Sequence, residues 1–454
     1  MTTTVEGVWI FHRHGDRTPA RSLVPTEHLE AEKSFWISKI PSGMTFFDTL
    51  CQQFPVQIHE SNNQGQFFDV HGGKEPYGFL TFRGMEQMKL LGKNMARRYH
   101  RHDESQTSDT SSSSSSSSFL QQWNIQAYST NYLRTVKSVQ CFLDGLLSNK
   151  DTTTPFIDPG PTIHVRERSQ DILNAFDRQP QLMKKLVQDV VSKESFISYD
   201  EKLKPIAQRL IMILPGLAKA ANYGGPSGIN WIHASDHFVC REAHDLHLSS
   251  FSLFHNDHEM DKLLASLRVD TLSHLAWRFR QWYQSPSLLA AIVLAPLREI
   301  EMQMKGQVNR LKSNLKDHKP FIIYSCHDVT LLSLLYGIGA DFVATEDELQ
   351  EVAAPTRRDN GEERWKYWPE YATSLIFELV RDDDDEYFVE IFLNGKPIQL
   401  ISQLQRNGPS KERIDRKIKL DEFTNIINDV ENKSHIHAKI EDDQVARDMS
   451  TWTG

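Results

Sequence analysis

The chain has 454 residues, 39% of them hydrophobic and 24% charged, with a formal net charge of -9. This fits one large globular domain with an insertion, or two or more domains, and excludes a disordered or fibrous chain. The acidic balance argues against nucleic-acid binding, which needs a broad basic surface, but leaves room for a small anionic substrate held by a local cluster of cations.

The first predicted element is a short buried strand, Gly7 to Phe11, ending at Arg13-His14-Gly15-Asp16-Arg17-Thr18-Pro19. Residues 20–76 are broken by Pro, Gly and Asn and read as loops with short helices. From Thr81 to Tyr99 an apolar stripe (Met85, Met88, Leu91, Gly92, Met95) predicts a helix. The segment 105–118 ends in eight serines, cannot bury apolar surface and reads as a flexible loop. A second strand, Ile125 to Tyr128, runs into Ser129-Thr130-Asn131-Tyr132-Leu133-Arg134-Thr135 and a helix with Val136, Val139, Phe142, Leu143 and Leu146 on one side. Residues 151–165 are Pro-rich and extended, and 168–315 read almost wholly helical. The third strand, Phe321 to Ser325, enters Cys326-His327-Asp328-Val329-Thr330 and a Leu-rich helix that stops near Gly337. Ser374 to Leu379 and Tyr387 to Leu393 read as antiparallel strands joined through Asp382 to Asp385, with a turn at Asn394-Gly395.

The expected fold is therefore α/β, a three-layer core with a central mixed, mostly parallel sheet and helices on both faces. The core spans residues 5–150 and 316–430, a mainly helical cap spans 151–315, and a polar tail spans 431–454. Cys51, Cys141, Cys240 and Cys326 show no CxxC spacing, so a zinc site is not expected. No apolar run approaches the ~20 residues that cross a bilayer, and no basic stretch leads into an apolar run at the N-terminus. A cytoplasmic protein with reduced thiols is the expectation. The sequence leaves the oligomeric state open.

Three sites share one layout: a strand ends, polar residues follow, and a helix begins. They carry His14, Arg134 and His327. Ligands of α/β sheets sit at the carboxyl ends of strands, so the three should converge. Arg13, Arg17 and Arg134 suit a phosphate, to which guanidinium groups make bidentate bonds. A neutral His14 between two arginines suits attack on phosphorus. His327 can bond a phosphoryl oxygen, and Asp328 can protonate a leaving alkoxide. Asp16 is read as ordering its loop and His12 as structural. His233 and His237, at i and i+4, lack a third metal ligand and are read as structural. Trp368 and Tyr371 are read as core, with a place beside the substrate channel as the alternative.

Arg-His-Gly-x-Arg-x-Pro at 13–19 with His327-Asp328 resembles the histidine acid phosphatase family, branch 2 of the histidine phosphatase superfamily. Gly78-Phe79-Leu80-Thr81 with Gly84, Gln87 and Gly92, the Ser129-Thr130 and Arg134-Thr135 pairs, and Leu420-Asp421-Glu422-Phe423 resemble further family segments. Asn131 stands where the family has Asp. The resemblance implies an α/β core with a helical cap, and no metal or organic cofactor. It implies His14 as nucleophile, Asp328 as proton donor, and Arg13, Arg17, Arg134 and His327 as the phosphate pocket. His327-Asp328-Val329-Thr330 and Trp368-Pro369 resemble the lysophosphatidic acid phosphatase subgroup, so the partner expected is a small phosphorylated substrate. A phytase, a sugar-phosphate phosphatase and a non-catalytic phosphate-binding homologue are the alternatives.

Overall fold

The computed structural model of the protein describes residues 3–41, 50–59, 75–104, 119, 122–147, 160–219, 225–251, 258–315, 318–343, 368–402 and 417–434. The serine-rich segment 105–118 and residues 435–454 of the expected tail lie outside the described residues. Among the described residues, nine strands form one sheet: β1 (Thr4–Arg13), β2 (Val56–Ile58), β3 (Trp123–Ser129), β4 (Ile163–Val165), β5 (Lys319–Cys326), β6 (Ser374–Arg381), β7 (Tyr387–Leu393), β8 (Lys396–Pro397) and β9 (Lys417–Lys419). Their order is β2-β4-β3-β5-β1-β6-β7-β8, with β9 also on β7. The run from β2 to β1 is parallel, and β6 to β9 pair antiparallel.

The helices are α1 (Leu29–Ile37), α2 (Phe82–Glu104), α3 (Leu133–Leu147), α4 (Ala175–Arg178), α5 (Pro180–Val191), α6 (Glu194–Glu201), α7 (Lys204–Ile213), α8 (Trp231–Ala243), α9 (His258–Tyr283), α10 (Pro286–Lys312), α11 (Asp328–Gly337) and α12 (Leu420–Ser434). The last four residues of α12 occupy what reads in sequence as the start of the tail.

Alternation along the central strands explains the layers. Val8 and Ile10 of β1, with Phe321 and Ile323 of β5, face Met88, Met95 and Tyr99 of α2 and Val139, Phe142 and Leu143 of α3. Trp9 and Phe11, with Ile322 and Tyr324, face Leu297, Ile300 and Met304 of α10, Leu331 and Leu335 of α11, and Phe423 and Ile427 of α12. Both faces are apolar because both are covered. Each large side chain so buried contributes about 1.5–3 kcal/mol.

On the first face, α2 and α3 cross closely. A Cβ on Gly92 would lie 2.0 Å from the Phe142 carbonyl oxygen, and one on Gly145 would lie 2.0 Å from that of Lys89. The backbones approach only because both positions lack a side chain.

The strands β1, β3 and β5 extend beyond their predicted ends, since the polar residues at their tips still pair. β2 and β4, three residues each, were not read as strands, being too short for a periodic signal. Asp382 organises the β6–β7 turn, its carboxylate accepting the N–H groups of Asp384 and Glu386. Asn394 and Gly395 both take positive φ and return the chain into β8. The parallel register sets Arg13 beside Cys326 and Ser129 beside Ser325, so three strand ends open on one edge.

Candidate active site

The turn after β1 is fixed by its neighbours. The His14 N–H donates to the Cys326 carbonyl at 3.1 Å, and the Arg13 N–H to that of Thr373 at 2.9 Å. A Cβ on Gly15 would sit 2.3 Å from the Gly84 carbonyl oxygen, and one on Gly84 would sit 2.1 Å from that of Asp16. The turn therefore lies directly on the first turn of α2. Asp16 orders it, as expected. Its N–H donates to Gln87 Oε1 at 2.8 Å, and its carbonyl accepts the Thr81 N–H at 3.0 Å. The resemblance around residues 78–92 thus has a physical content: those residues hold the Arg13–Pro19 turn.

His14 Nδ1 lies 2.8 Å from the Gly15 carbonyl oxygen. A carbonyl only accepts, so Nδ1 carries the proton and Nε2 keeps its lone pair. Burial above all, then the charges of Arg134, Arg13, Arg17 and His327, hold the ring well below the ordinary histidine pKa of 6.5. The sequence points to the arginines as the cause; the structure ranks desolvation first, since the ring lies almost wholly out of water.

Arg134 enters from the first turn of α3. Thr130 and Thr135 knit the preceding turn through a hydroxyl pair at 2.9 Å, and the Arg134 guanidinium rests over the Tyr132 ring at 4.6 Å. Burial, then the charge of Arg17, lowers Arg134 to about 9, still cationic at neutral pH. Its NH2 donates to His327 Nδ1 at 3.4 Å. The second His327 nitrogen then holds the proton and donates to Thr130 Oγ1 at 3.2 Å. Asp328 opens α11; its Oδ2 meets Arg13 NH2 at 2.8 Å and accepts the Trp368 indole N–H at 3.2 Å. All six residues named from the sequence line one cavity of about 1020 Å³.

The arginines of the cavity also keep unused donors. Nε of Arg13, of Arg17 and of Arg134 is buried without a hydrogen-bond partner. Leaving one such donor unmet costs about 1–3 kcal/mol. Such donors suit the oxygens of a phosphoryl group, although Nε of Arg178 and of Arg241, away from the cavity, is left in the same way.

Other residues of the site escape sequence reasoning. Arg13 also donates to the Pro369 carbonyl at 2.7 Å and lies over the Tyr371 ring at 4.2 Å. Trp368 and Tyr371 thus line the cavity, the alternative reading of those two residues. Asp236 pairs with Arg17 at 2.8 Å, and His244 reaches Asp16 at 2.7 Å. Both come from α8 and its C-terminus, more than 200 residues from their partners, and no local pattern announces them. His233 lines the cavity, whereas His237 is buried and its Nδ1 accepts from Arg241 at 2.9 Å. His12, stacked on Phe142 and buried, is structural as expected. Among the described residues, no group of three or more His, Cys, Asp or Glu could hold a metal ion, and no helix is long and apolar enough to cross a membrane.

A mixed α/β sheet whose strand ends gather three arginines, two histidines and a carboxylate defines a phosphate-handling enzyme. Residues 4–394 match the histidine phosphatase superfamily (branch 2); the chain belongs to that family and is a phosphatase. Solved structures of low identity share the fold. The Bifidobacterium longum multiple inositol polyphosphate phosphatase, in complex with inositol hexasulfate, aligns at 12% identity and TM-score 0.52, over 93% of this chain and 91% of that one. Its complex with phosphate aligns at 12% and 0.50, over 94% and 92%. The Citrobacter braakii phytase aligns at 14% and 0.48, over 94% and 98%. No curated protein sequence matches.

Proposed function

We propose that the protein hydrolyses phosphate monoesters through a covalent phosphohistidine on His14. The observation that carries this is the Nδ1 hydrogen bond to Gly15, which presents a neutral Nε2 among Arg13, Arg17 and Arg134. Nε2 attacks phosphorus and the ester P–O bond breaks. Asp328 gives its proton to the departing alkoxide. Asp328, now a carboxylate, takes a proton from water as that water attacks the phosphohistidine. Inorganic phosphate leaves and His14 is restored. The three guanidinium groups bind the phosphoryl oxygens, more strongly as charge develops in the transition state, and His327 joins them by turning its Nε2–H from Thr130 to an oxygen. Asp328 shares Arg13 with the substrate, so a dianionic phosphoryl group draws Arg13 away from it. Each step uses only these side chains and water, so hydrolysis of p-nitrophenyl phosphate should persist in EDTA. No turnover at any pH from 4 to 8 would sink the proposal.

The preferred ester is one with an apolar leaving group, such as lysophosphatidic acid. On α8 and α9 the cavity lining includes Ile232, Val239, Val269, Leu272, Leu275 and Phe279, interspersed with polar residues such as His233, Ser235 and Ser273. A heavily charged inositol polyphosphate needs cations there instead. Two further arginines, Arg83 and Arg268, line the cavity and favour that alternative, but Arg268 is paired with Glu242. We expect kcat/KM for lysophosphatidic acid to exceed that for inositol hexakisphosphate and for glucose phosphate; the reverse order would establish the alternative.

A further inference from the structure

Helix α8 grips the Arg13–Pro19 turn at two places. Asp236 takes Arg17 with both oxygens, Oδ1 at 2.8 Å from NH2 and Oδ2 accepting NH1 at 3.2 Å. The same Oδ2 accepts the Ala20 N–H at 2.7 Å. At the end of the helix, His244 Nε2 meets Asp16 Oδ2 at 2.7 Å. The two carboxylates and the imidazole are each less than a tenth exposed.

A carboxylate in this position is unexpected. It opposes the charge of a phosphoryl dianion and lowers the attraction of the arginine beside it. The hydrogen bonds of Arg17 explain its presence. NH1 has two hydrogens, and both are used, by the Thr18 carbonyl at 2.9 Å and by Asp236. NH2 gives one hydrogen to Asp236. The Nε hydrogen is buried and has no partner. What Asp236 leaves is the edge formed by Nε and the second NH2 hydrogen, the fork that binds two oxygens of one phosphate.

We propose that Asp236 is a positioning residue of the phosphatase reaction: it occupies the outer edge of Arg17 and so sets which edge meets the phosphoryl group. His244 supports the same geometry by fixing Asp16, the residue before Arg17. This rests on the assignment of Arg17 to the phosphate pocket. It adds that a helix lining the cavity also aims the arginine, so the leaving-group and phosphoryl subsites are held by one element.

The test compares full-length wild type and Asp236→Asn for hydrolysis of p-nitrophenyl phosphate and for inhibition by orthovanadate, with the thermal midpoint of each. Asn keeps the shape of Asp and removes its charge. If Asp236 only adds negative charge, its loss tightens anion binding, and KM and the vanadate Ki fall. If it aims Arg17, kcat/KM falls and Ki rises, each by about 10- to 100-fold. A Ki that falls or stays unchanged overturns the proposal. Arg17→Lys removes the fork, so adding Asp236→Asn to it should cost less than about 3-fold more; full additivity also overturns it. Should Asp236→Asn fail to fold, Asp236→Glu keeps the charge and moves the carboxylate by one methylene. A raised Ki in that variant supports the aiming role, and an unchanged one defeats it. Absence of turnover in wild type would defeat the functional reading instead, whereas an active wild type with an unaltered Asp236→Asn defeats this inference alone.

Discussion

The chemistry at His14 depends on a tautomer and on a charge state, and both follow from contacts of single residues. The Gly15 carbonyl fixes the proton on Nδ1, and burial with the neighbouring cations keeps Nε2 unprotonated. His14→Ala should reduce kcat/KM by about 10,000-fold or more. An alkaline quench during turnover should trap phosphate on His14, seen by mass spectrometry; phosphate on another residue would reassign the nucleophile. Because the ring is held well below 6.5, the activity profile should show no acid limb centred near that value. A limb there would mean that water reaches the ring. Asp328→Asn should cost about 100-fold or more on alkyl esters and far less on p-nitrophenyl phosphate, whose phenolate leaves without a proton. Equal losses on both esters would remove the proton-donor role.

At the scale of elements, the site is a meeting of helix starts. α2, α3 and α11 begin at the same sheet edge, and each delivers one group: Thr81 to the loop, Arg134 to the cavity and Asp328 beside Arg13. Their mutual spacing depends on the α2–α3 crossing. Gly92→Ala forces a Cβ against the Phe142 carbonyl and should destabilise the fold by about 1–3 kcal/mol. Gly306→Ala makes a useful contrast. That glycine sits in α10, exposed, with nothing within 4 Å of an added Cβ, so alanine should stabilise by about 0.5–1 kcal/mol. Urea midpoints of the two variants should move in opposite directions; a shared direction would contradict the packing at the crossing.

For the whole molecule, buried histidines shape the response to acid. Burial brings His12 down to about 4 and places His14 and His237 well below 6.5. Their folded pKa values lie below the unfolded one, so the unfolded chain binds more protons as the pH falls. Their contribution is complete above about 6.5 and declines below it, that of His12 being lost by about 4. Asp171, raised to about 7 by burial, acts in the opposite sense over the same range. His164, His233 and His274, also lowered by burial, act with the three histidines, and Glu390, raised by burial, acts with Asp171; six groups outweigh two, so stability should decline from pH 6.5 to 4. Asp200, buried yet held at about 2 by bonds from His274 and Ser227, adds a further loss from about pH 4 downwards. Urea unfolding at steps of half a pH unit checks this, and a flat profile from 7 to 4 would refute it.

Much of the molecule was legible in the chain because the informative signals are local. A strand, a polar turn and a helix start recur at His14, Arg134 and His327, and each is readable within about fifteen residues. The apolar run of β1 and the stripe of α2 placed the central layers. β2 and β4 were not, because three residues define no period, and they pair only because β3 offers an edge. Asp236 and His244 were hidden for a different reason. An ion pair is a matter of distance in space, and nothing near Asp236 in sequence indicates that Arg17, 219 positions earlier, will lie against it. Sequence alone determined that His14 lies in the Arg-His-Gly-x-Arg-x-Pro turn at the end of the first strand. Tertiary structure decided which nitrogen of that ring is free, which edge of Arg17 is open, and which side chains of α8 and α9 line the cavity. Those depend on what is buried against what, and burial exists only once the chain has folded.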